Sequence, residues 1–222
     1  MDYYFFLIIT LAITLGAQAY LNSTYRKCSK INSKKNTTGA ETARMILDHN
    51  GLENVEVMAV NGELTDHYDP KAKVVRLSDS IYSGSSVASV SVAAHECGHA
   101  IQDKEGYLFL RIRHSIIPLV NLASHAGYIA IMIGLFAGLI RIFWFGILCE
   151  IIILAFQLIT LPVEFNASSR GLKQLESLNI IEKDEKGNCR GMLKAAALTY
   201  VASAAAAILE ILRLVLMARR RD

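Results

Sequence analysis

Three long apolar runs constrain the fold of this chain more than any other feature of its sequence. Residues 3–21 contain no charge, and residues 116–140 and 142–163 are separated only by Arg141. A helix rises 1.5 Å per residue, so about 20 residues cross a hydrocarbon core of about 30 Å. Because 53% of the residues are hydrophobic and grouped in this way, we predict a multi-pass protein of the cell membrane.

The first run is interpreted as an uncleaved transmembrane anchor covering residues 1–24. A cleaved signal peptide would carry a basic segment before its apolar run, but only Met1 and Asp2 precede this one. Lysine and arginine residues follow the run instead, and basic flanks favour the cytoplasmic side of a membrane. We therefore expect residues 25–114 to face the cytoplasm. The small net charge of +3 is locally clustered, which argues for topology and against nucleic acid as a partner.

A His-Glu-x-x-His motif lies within a predicted helix over residues 86–103. Residues four apart in a helix lie one turn above each other, so His95 and His99 present two imidazoles to one point that can hold zinc. Glu96 is rotated by about a quarter turn and can reach a water on the metal without being a ligand. It is the predicted general base. The competing interpretation is an accidental match on an exposed face.

A small sheet is predicted before this helix, with strands over residues 55–60 and 73–78. The Asn-Gly turn at 61–62 predicts that residues 63–68 pair back onto the first strand. Upstream, Thr38 and Glu41 form a predicted capping box for a helix that ends near Gly51. A sheet edge beside the motif helix could bind an extended peptide substrate, or the strands could be a structural cap.

A catalytic zinc requires a third protein ligand and an open position for water. In one large class of zinc proteases that ligand is a histidine six residues after the second motif histidine, but Glu105 occupies this position here. The runs at 116–140 and 142–163 are joined by so short a turn that they must be antiparallel. A transmembrane hairpin over residues 115–163 therefore returns the chain to the side it left. Glu164 emerges there and is the predicted third ligand, with an interfacial anchor as its alternative role.

Residues 164–222 are interpreted as a cytoplasmic helical part that carries this ligand and ends in an apolar helix. Residues 166–181 are predicted to be helical. Whether residues 192–217 cross the membrane stays open. If they do, Arg219, Arg220 and Arg221 lie on the side opposite the other basic flanks, against the positive-inside tendency. If residues 192–217 lie in the membrane interface instead, the three arginines stay on the same side as those flanks. The four cysteines show no paired spacing, which suits a reducing compartment.

Four segments resemble the YugP family of bacterial membrane zinc metallopeptidases. They are residues 66–70, 92–102, 160–165 and 198–202. The order of anchor, small domain, motif helix and hairpin also resembles the HtpX-like gluzincin proteases. The resemblance implies that His95, His99 and Glu164 are zinc ligands and that Glu96 is the base. Asn166 stands where an Asp is expected in the family, and Ser168 where HtpX-like proteins have an outer-shell Asp, so the groups behind the ligands depart from that pattern.

The predicted fold is therefore an α+β membrane protein, in which a zincin-like catalytic domain of a small sheet and the motif helix is combined with transmembrane helices. The predicted function is a membrane-bound zinc endopeptidase acting on peptide or membrane-protein substrates at the cytoplasmic face of the lipid bilayer. Candidates for an additional electrophile are His67, Tyr68, Arg170 and Tyr200. Two alternatives remain open: an intramembrane site-2-type metalloprotease, and a non-enzymatic membrane metal-binding scaffold.

Overall fold

A computed structural model of the 222-residue chain describes residues 2–219, so Arg220 and Arg221 of the basic tail lie outside the described residues. The described part contains seven helices and three strands. In chain order these are α1 (Asp2–Ser29), α2 (Gly39–His49), β1 (Glu56–Val60), β2 (His67–Asp69), β3 (Val74–Ser78), α3 (Asp79–Tyr82), α4 (Val87–Lys104), α5 (Leu108–Phe136), α6 (Ile140–Ser177) and α7 (Lys186–Arg219). The predicted combination of helices with a small sheet is confirmed.

Four helices, α1, α5, α6 and α7, are long and apolar enough to cross a membrane by length and composition. The fourth, whose fate the sequence left open, thus meets the same criterion as the other three. Large apolar side chains on these helices remain exposed, including Leu122 at 66% and Phe136 at 78%. Apolar surface of this extent is typical of a face that contacts lipid or a partner.

The chain divides into two compact units. The first contains the described residues within 2–18, 111–162 and 198–219, which are the apolar parts of the four long helices. Its most buried side chains are Phe143, Ile147, Leu214 and Ala218, contributed by α6 and α7. The second contains residues 19–110 and 163–197, and therefore holds the sheet, α2, α3 and α4.

The helix that carries the motif lies at the centre of the second unit. Ser86 is its N-cap, and the Ser86 side chain accepts a hydrogen bond from the backbone N–H of Ser89. Val90, Ala94 and Cys97 are among the residues of α4 that are fully buried. The helix predicted over residues 86–103 is thus confirmed to within one residue at each end. The capping box of Thr38 and Glu41 at the start of α2 is confirmed as well.

The predicted pairing of the strands is wrong. β1 does not form a hairpin with the residues after the Asn-Gly turn; it pairs in parallel with β3, and β2 pairs with β3 on the other side in antiparallel orientation. Val74, Val75 and Leu77 are buried, so β3 has apolar surface to cover on both of its faces. The most buried strand occupies the centre of the sheet, and this tertiary requirement overrides the local turn signal.

The hairpin also differs in detail from its prediction. The turn lies at residues 137–139, where Gly138 has a φ of +70°, and Arg141 is already inside α6. Glycine adopts the left-handed backbone conformation at the lowest energetic cost, so the chain reverses at Gly138 and not at Arg141. α6 is unbroken for 38 residues, through Pro162 to Ser177. The helix predicted over residues 166–181 is therefore the last part of α6 and ends four residues earlier than predicted.

Two glycines allow α4 and the second half of α6 to pack backbone against backbone. A Cβ added at Gly171 would lie 2.6 Å from the carbonyl oxygen of Ala94, and one added at Gly98 would collide with the carbonyl oxygen of Ala167. Side-chain movement cannot relieve either overlap, because the obstructing atoms belong to the backbone. The two helices can cross at this distance only because both positions lack a side chain.

We therefore expect Gly171→Ala to destabilise the second unit by about 1–3 kcal/mol, as overpacking does in other cores. The change can be measured by chemical denaturation of the purified chain in detergent. Gly191→Ala is the matched control, because Gly191 is also helical but has no atom within 4 Å of its added Cβ. Equal stabilities for the two variants would contradict the assigned role of Gly171.

Candidate metal centre

The two motif histidines project from one face of α4 toward the same point. Their ring centroids are 4.8 Å apart and the rings are inclined by 83°. His99 is buried and His95 nearly so, because neighbouring elements cover this face. The helical spacing of four residues thus produces the convergence that the sequence predicts.

Glu164 joins them from α6, 65 residues after His99 in the chain. Its Oε2 atom lies 3.2 Å from Nε2 of His95 and 3.6 Å from Nε2 of His99. The Glu164 side chain is 3% exposed, so water solvates this carboxylate poorly. One ligand atom from each of the three residues lies within 4.8 Å of the others.

These separations fit a shared zinc ion. With zinc–ligand bonds of about 2.0–2.1 Å and tetrahedral angles, neighbouring ligand atoms lie about 3.3 Å apart. The two measured distances from Glu164 fall on either side of this value. Two imidazoles and one carboxylate also form a donor set that zinc uses in catalytic sites, with a fourth position left for water.

The glycines at the helix crossing explain why Glu164 reaches the imidazoles. Ala167, whose carbonyl faces Gly98, lies one turn after Glu164 on the same helix. Gly98 lies directly before His99. The point of closest backbone approach is therefore within one turn of the ligand atoms on both helices.

Glu96 is buried beside this cluster. Burial raises its pKa to about 7, His95 opposes that shift, and the carboxylates of Glu164 and Asp66 add to it. The backbone N–H of Tyr68 in β2 donates a hydrogen bond to the Glu96 carboxylate. An acid whose pKa lies near neutrality can both accept and return a proton, which is what a general base that later acts as an acid requires.

A hydrogen-bond network behind His99 determines which of its ring nitrogens carries the proton. The Gln102 amide nitrogen donates to the carbonyl of Val163 at 2.8 Å and to Oδ1 of Asn166 at 2.9 Å. The amide oxygen of Gln102 therefore faces Nδ1 of His99, 3.0 Å away, and this nitrogen must be the donor. Nε2 of His99 is left with its lone pair directed toward Glu164.

The second histidine has a hydroxyl partner. Oγ of Ser168 lies 3.1 Å from Nδ1 of His95. A hydroxyl is a weaker acceptor than a carboxylate, so it orients the ring with less increase in its basicity than an Asp would give. The two positions at which an Asp was expected thus have different partners: Ser168 contacts His95 directly, whereas Asn166 reaches His99 through Gln102.

Sequence reasoning did not assign Gln102 a role. The available signal was its position three residues after His99, where a helical side chain can contact the ring. Its connection to Val163, the residue before Glu164, could not be read from the sequence because the two lie 61 residues apart.

The alternative reactive groups are occupied or buried elsewhere. The Cys97 thiol is fully buried and directed at the carbonyl of Ala43, and burial raises its pKa, so it is not a nucleophile. Arg170 bonds Asn166 and Glu105. The hydroxyl of Tyr68 donates to Asp103 at 2.8 Å. Among the other two electrophile candidates, His67 is exposed, and Tyr200 belongs to the first unit.

Comparison with known proteins shows the family to which the chain belongs. The family model described as "Putative neutral zinc metallopeptidase" matches residues 3–219. The chain is 45% identical over 217 residues to the "Putative membrane protease YugP" of Bacillus subtilis (strain 168), covering 98% of this chain and 96% of the relative. No solved structure matches the chain. With a match that extends over nearly all of its length, the chain belongs to this family of membrane zinc metallopeptidases.

Proposed function

We propose that the chain is a membrane-bound endopeptidase of gluzincin type, in which His95, His99 and Glu164 hold zinc and Glu96 is the general base. The observation that carries the proposal is the convergence of these three ligand atoms within 4.8 Å beside a buried glutamate. In the proposed topology, the anchor and the hairpin over residues 115–163 lie in the bilayer and the zincin-like domain faces the cytoplasm. The basic residues after the apolar part of α1 support this orientation.

Zinc, when bound, lowers the pKa of its water and polarises the carbonyl of the peptide bond to be cleaved. Glu96 would accept a proton from a water activated in this way and would return it to the nitrogen of the leaving amine when the C–N bond breaks. Gln102 keeps Nδ1 of His99 protonated, so Nε2 of His99 stays free to bind the metal. The Ser168 hydroxyl can accept a hydrogen bond from Nδ1 of His95, which would leave Nε2 of His95 free for the metal.

The edge of the sheet supports a peptide as the substrate. β2 is an edge strand, bonded to β3 on one side only. The N–H of Tyr68 in this strand bonds Glu96, so the edge of β2 lies next to the proposed base. An extended peptide that adds to this edge would run past Glu96, and main-chain hydrogen bonds would hold it there with little dependence on its side chains.

Two observations favour this function over the alternatives. An intramembrane site-2-type protease carries its motif within a spanning helix, whereas α4 belongs to the unit that holds the sheet and ends in polar residues at 102–105. A metal-binding scaffold has no use for a buried glutamate that is not a ligand, because an uncompensated buried acid costs stability.

The function is tested by cleavage of casein and of a membrane-protein fragment by the purified chain in detergent. We expect a zinc chelator to abolish cleavage and added zinc to restore it, because the proposed mechanism requires the metal. Cleavage that is unaffected by the chelator would contradict the zinc peptidase, and zinc binding without any cleavage would favour the scaffold.

Two variants are expected to separate zinc binding from catalysis. Glu96→Gln should retain zinc and lose about 10²–10⁴-fold in kcat/KM, because only the proton acceptor is removed. Glu164→Gln should lose both zinc and activity, because a neutral amide is a poor zinc ligand. Zinc content can be measured by atomic emission on the purified variants.

Glu53→Gln serves as the matched control, since Glu53 is exposed, and it should retain both zinc and activity. Loss of zinc in Glu96→Gln would make Glu96 a ligand. Full zinc affinity in Glu164→Gln would remove Glu164 from the site.

Gln102→Leu should lower zinc affinity by about 10–100-fold, because leucine can neither accept a hydrogen bond from Nδ1 of His99 nor donate one to the carbonyl of Val163. Competition with a chromogenic chelator measures this affinity. Gln174→Leu makes the same chemical change in the same unit, where Gln174 bonds Asn50 and not a histidine. Equal zinc affinities for the two variants would contradict the role of Gln102.

A further inference from the structure

The second unit contains a cavity of about 610 Å³ away from the metal centre. Its walls come from the last turns of α1, the loop before β2, the short helix α3 and the start of α4. The volume lies within the about 300–1,000 Å³ that is typical of small-ligand sites. The motif chemistry does not use this cavity, because none of the proposed zinc ligands lines it.

The cavity has an excess of positive charge. Arg26, in the last turn of α1, and Lys30, directly after the helix ends at Ser29, both line it, and Glu63 is the one acidic residue in its wall. Within residues 2–219, neither cation forms an ion pair or a side-chain hydrogen bond with another protein group. Lys34 and Lys73 of the same unit, in contrast, are paired with Asp184 and Asp103. Two cations beside one exposed carboxylate favour an anionic ligand.

The remaining polar lining suits a ligand with several oxygen atoms. Hydroxyl groups of Ser29, Ser80, Ser85 and Ser86 line the cavity. The Ser85 hydroxyl already donates to Asn36, and those of Ser80 and Ser86 hydrogen-bond with Tyr25 and Ser89. The Ser29 hydroxyl can therefore donate to a phosphate oxygen more readily than the other three. The amino end of α4 also opens onto the cavity at Ser86, and the positive end of the dipole of this 18-residue helix adds to the attraction for an anion.

The position of the cavity along α1 indicates where such a ligand comes from. The uncharged run of α1 ends at Leu21, and the lining begins with the next residue, Asn22. α1 is long and apolar enough to cross a membrane. A site that starts directly after the apolar run of a spanning helix lies at the depth of the lipid headgroups, where basic residues attract anionic lipids.

We propose that this cavity binds the phosphate group of an anionic phospholipid, held by Arg26 and Lys30. The ligand would fasten the catalytic unit to the membrane surface at the end of α1. This site is independent of the proposed zinc chemistry, and its occupancy can be measured without any peptidase activity. Inorganic phosphate offers the same oxygen atoms, so the test must separate the two sources.

The test uses the full chain in neutral detergent and records its thermal unfolding midpoint as ligand is added. We expect short-chain phosphatidylglycerol to raise the midpoint with saturation, and phosphatidylcholine, which has no net charge, to leave it unchanged. Inorganic phosphate should give a weaker shift, because it lacks the apolar chains that a lipid buries beside α1. An equal response to phosphatidylglycerol and phosphatidylcholine would overturn the proposal, and a full response to phosphate alone would overturn the lipid source.

Two lysines at the end of α1, one in its last turn and one directly after it, provide a matched pair of variants. Lys30→Gln should lower phosphatidylglycerol affinity about fivefold, whereas Lys27→Gln removes the same charge from a residue outside the cavity and should change it much less. Ser29→Phe should block the cavity without changing the net charge. Equal loss for the two lysine variants, with no loss in Ser29→Phe, would show diffuse surface attraction and overturn the assignment of the cavity.

Discussion

The crossing of α4 and α6 at two glycines is the contact on which the rest of the second unit depends. Gly98 faces the backbone of Ala167 and Gly171 faces the backbone of Ala94, so each helix contributes one glycine to the contact. Because the backbones touch, the short carboxylate arm of Glu164 is sufficient to reach both imidazoles. A crossing widened by a side chain would leave the same donor atoms present but too far apart to share one ion.

The hydrogen bonds behind His99 pair each donor with an acceptor, and together they fix which nitrogen of His99 is protonated. The carbonyl of Val163 can only accept, so it selects the nitrogen of the Gln102 amide, and the Gln102 oxygen then selects the protonated Nδ1 of His99. Asn166 accepts from Gln102 and also from Arg170, which in turn pairs with Glu105 beyond the end of α4. An uncharged amide therefore links a histidine to the helix that carries the glutamate. A carboxylate in place of the Asn166 amide would add a negative charge to this network beside Arg170.

The elements that depend on residues near them in the chain could be predicted from the sequence. The motif helix was predicted to within one residue because its cap and its helical spacing are local signals. The placement of Glu164 beside the histidines was anticipated from topology, although its role as a zinc ligand stays a prediction. The sheet order was not predictable, because Val74, Val75 and Leu77 need cover on two faces and only the folded unit shows what supplies it. The partners of Gln102 and Ser168 were missed for the same reason, since they lie more than 60 residues away along the chain.

The two variable positions of the motif have separate structural duties. The Cys97 thiol points into the core toward Ala43, so position 97 requires a small apolar side chain. The Cα of Gly98 lies against the α6 backbone, so position 98 has no room for any side chain. A pattern search that leaves both positions unrestricted would accept chains whose helices could never come this close. In this architecture the residues between the histidines identify the fold, while the histidines and the glutamate identify only the metal.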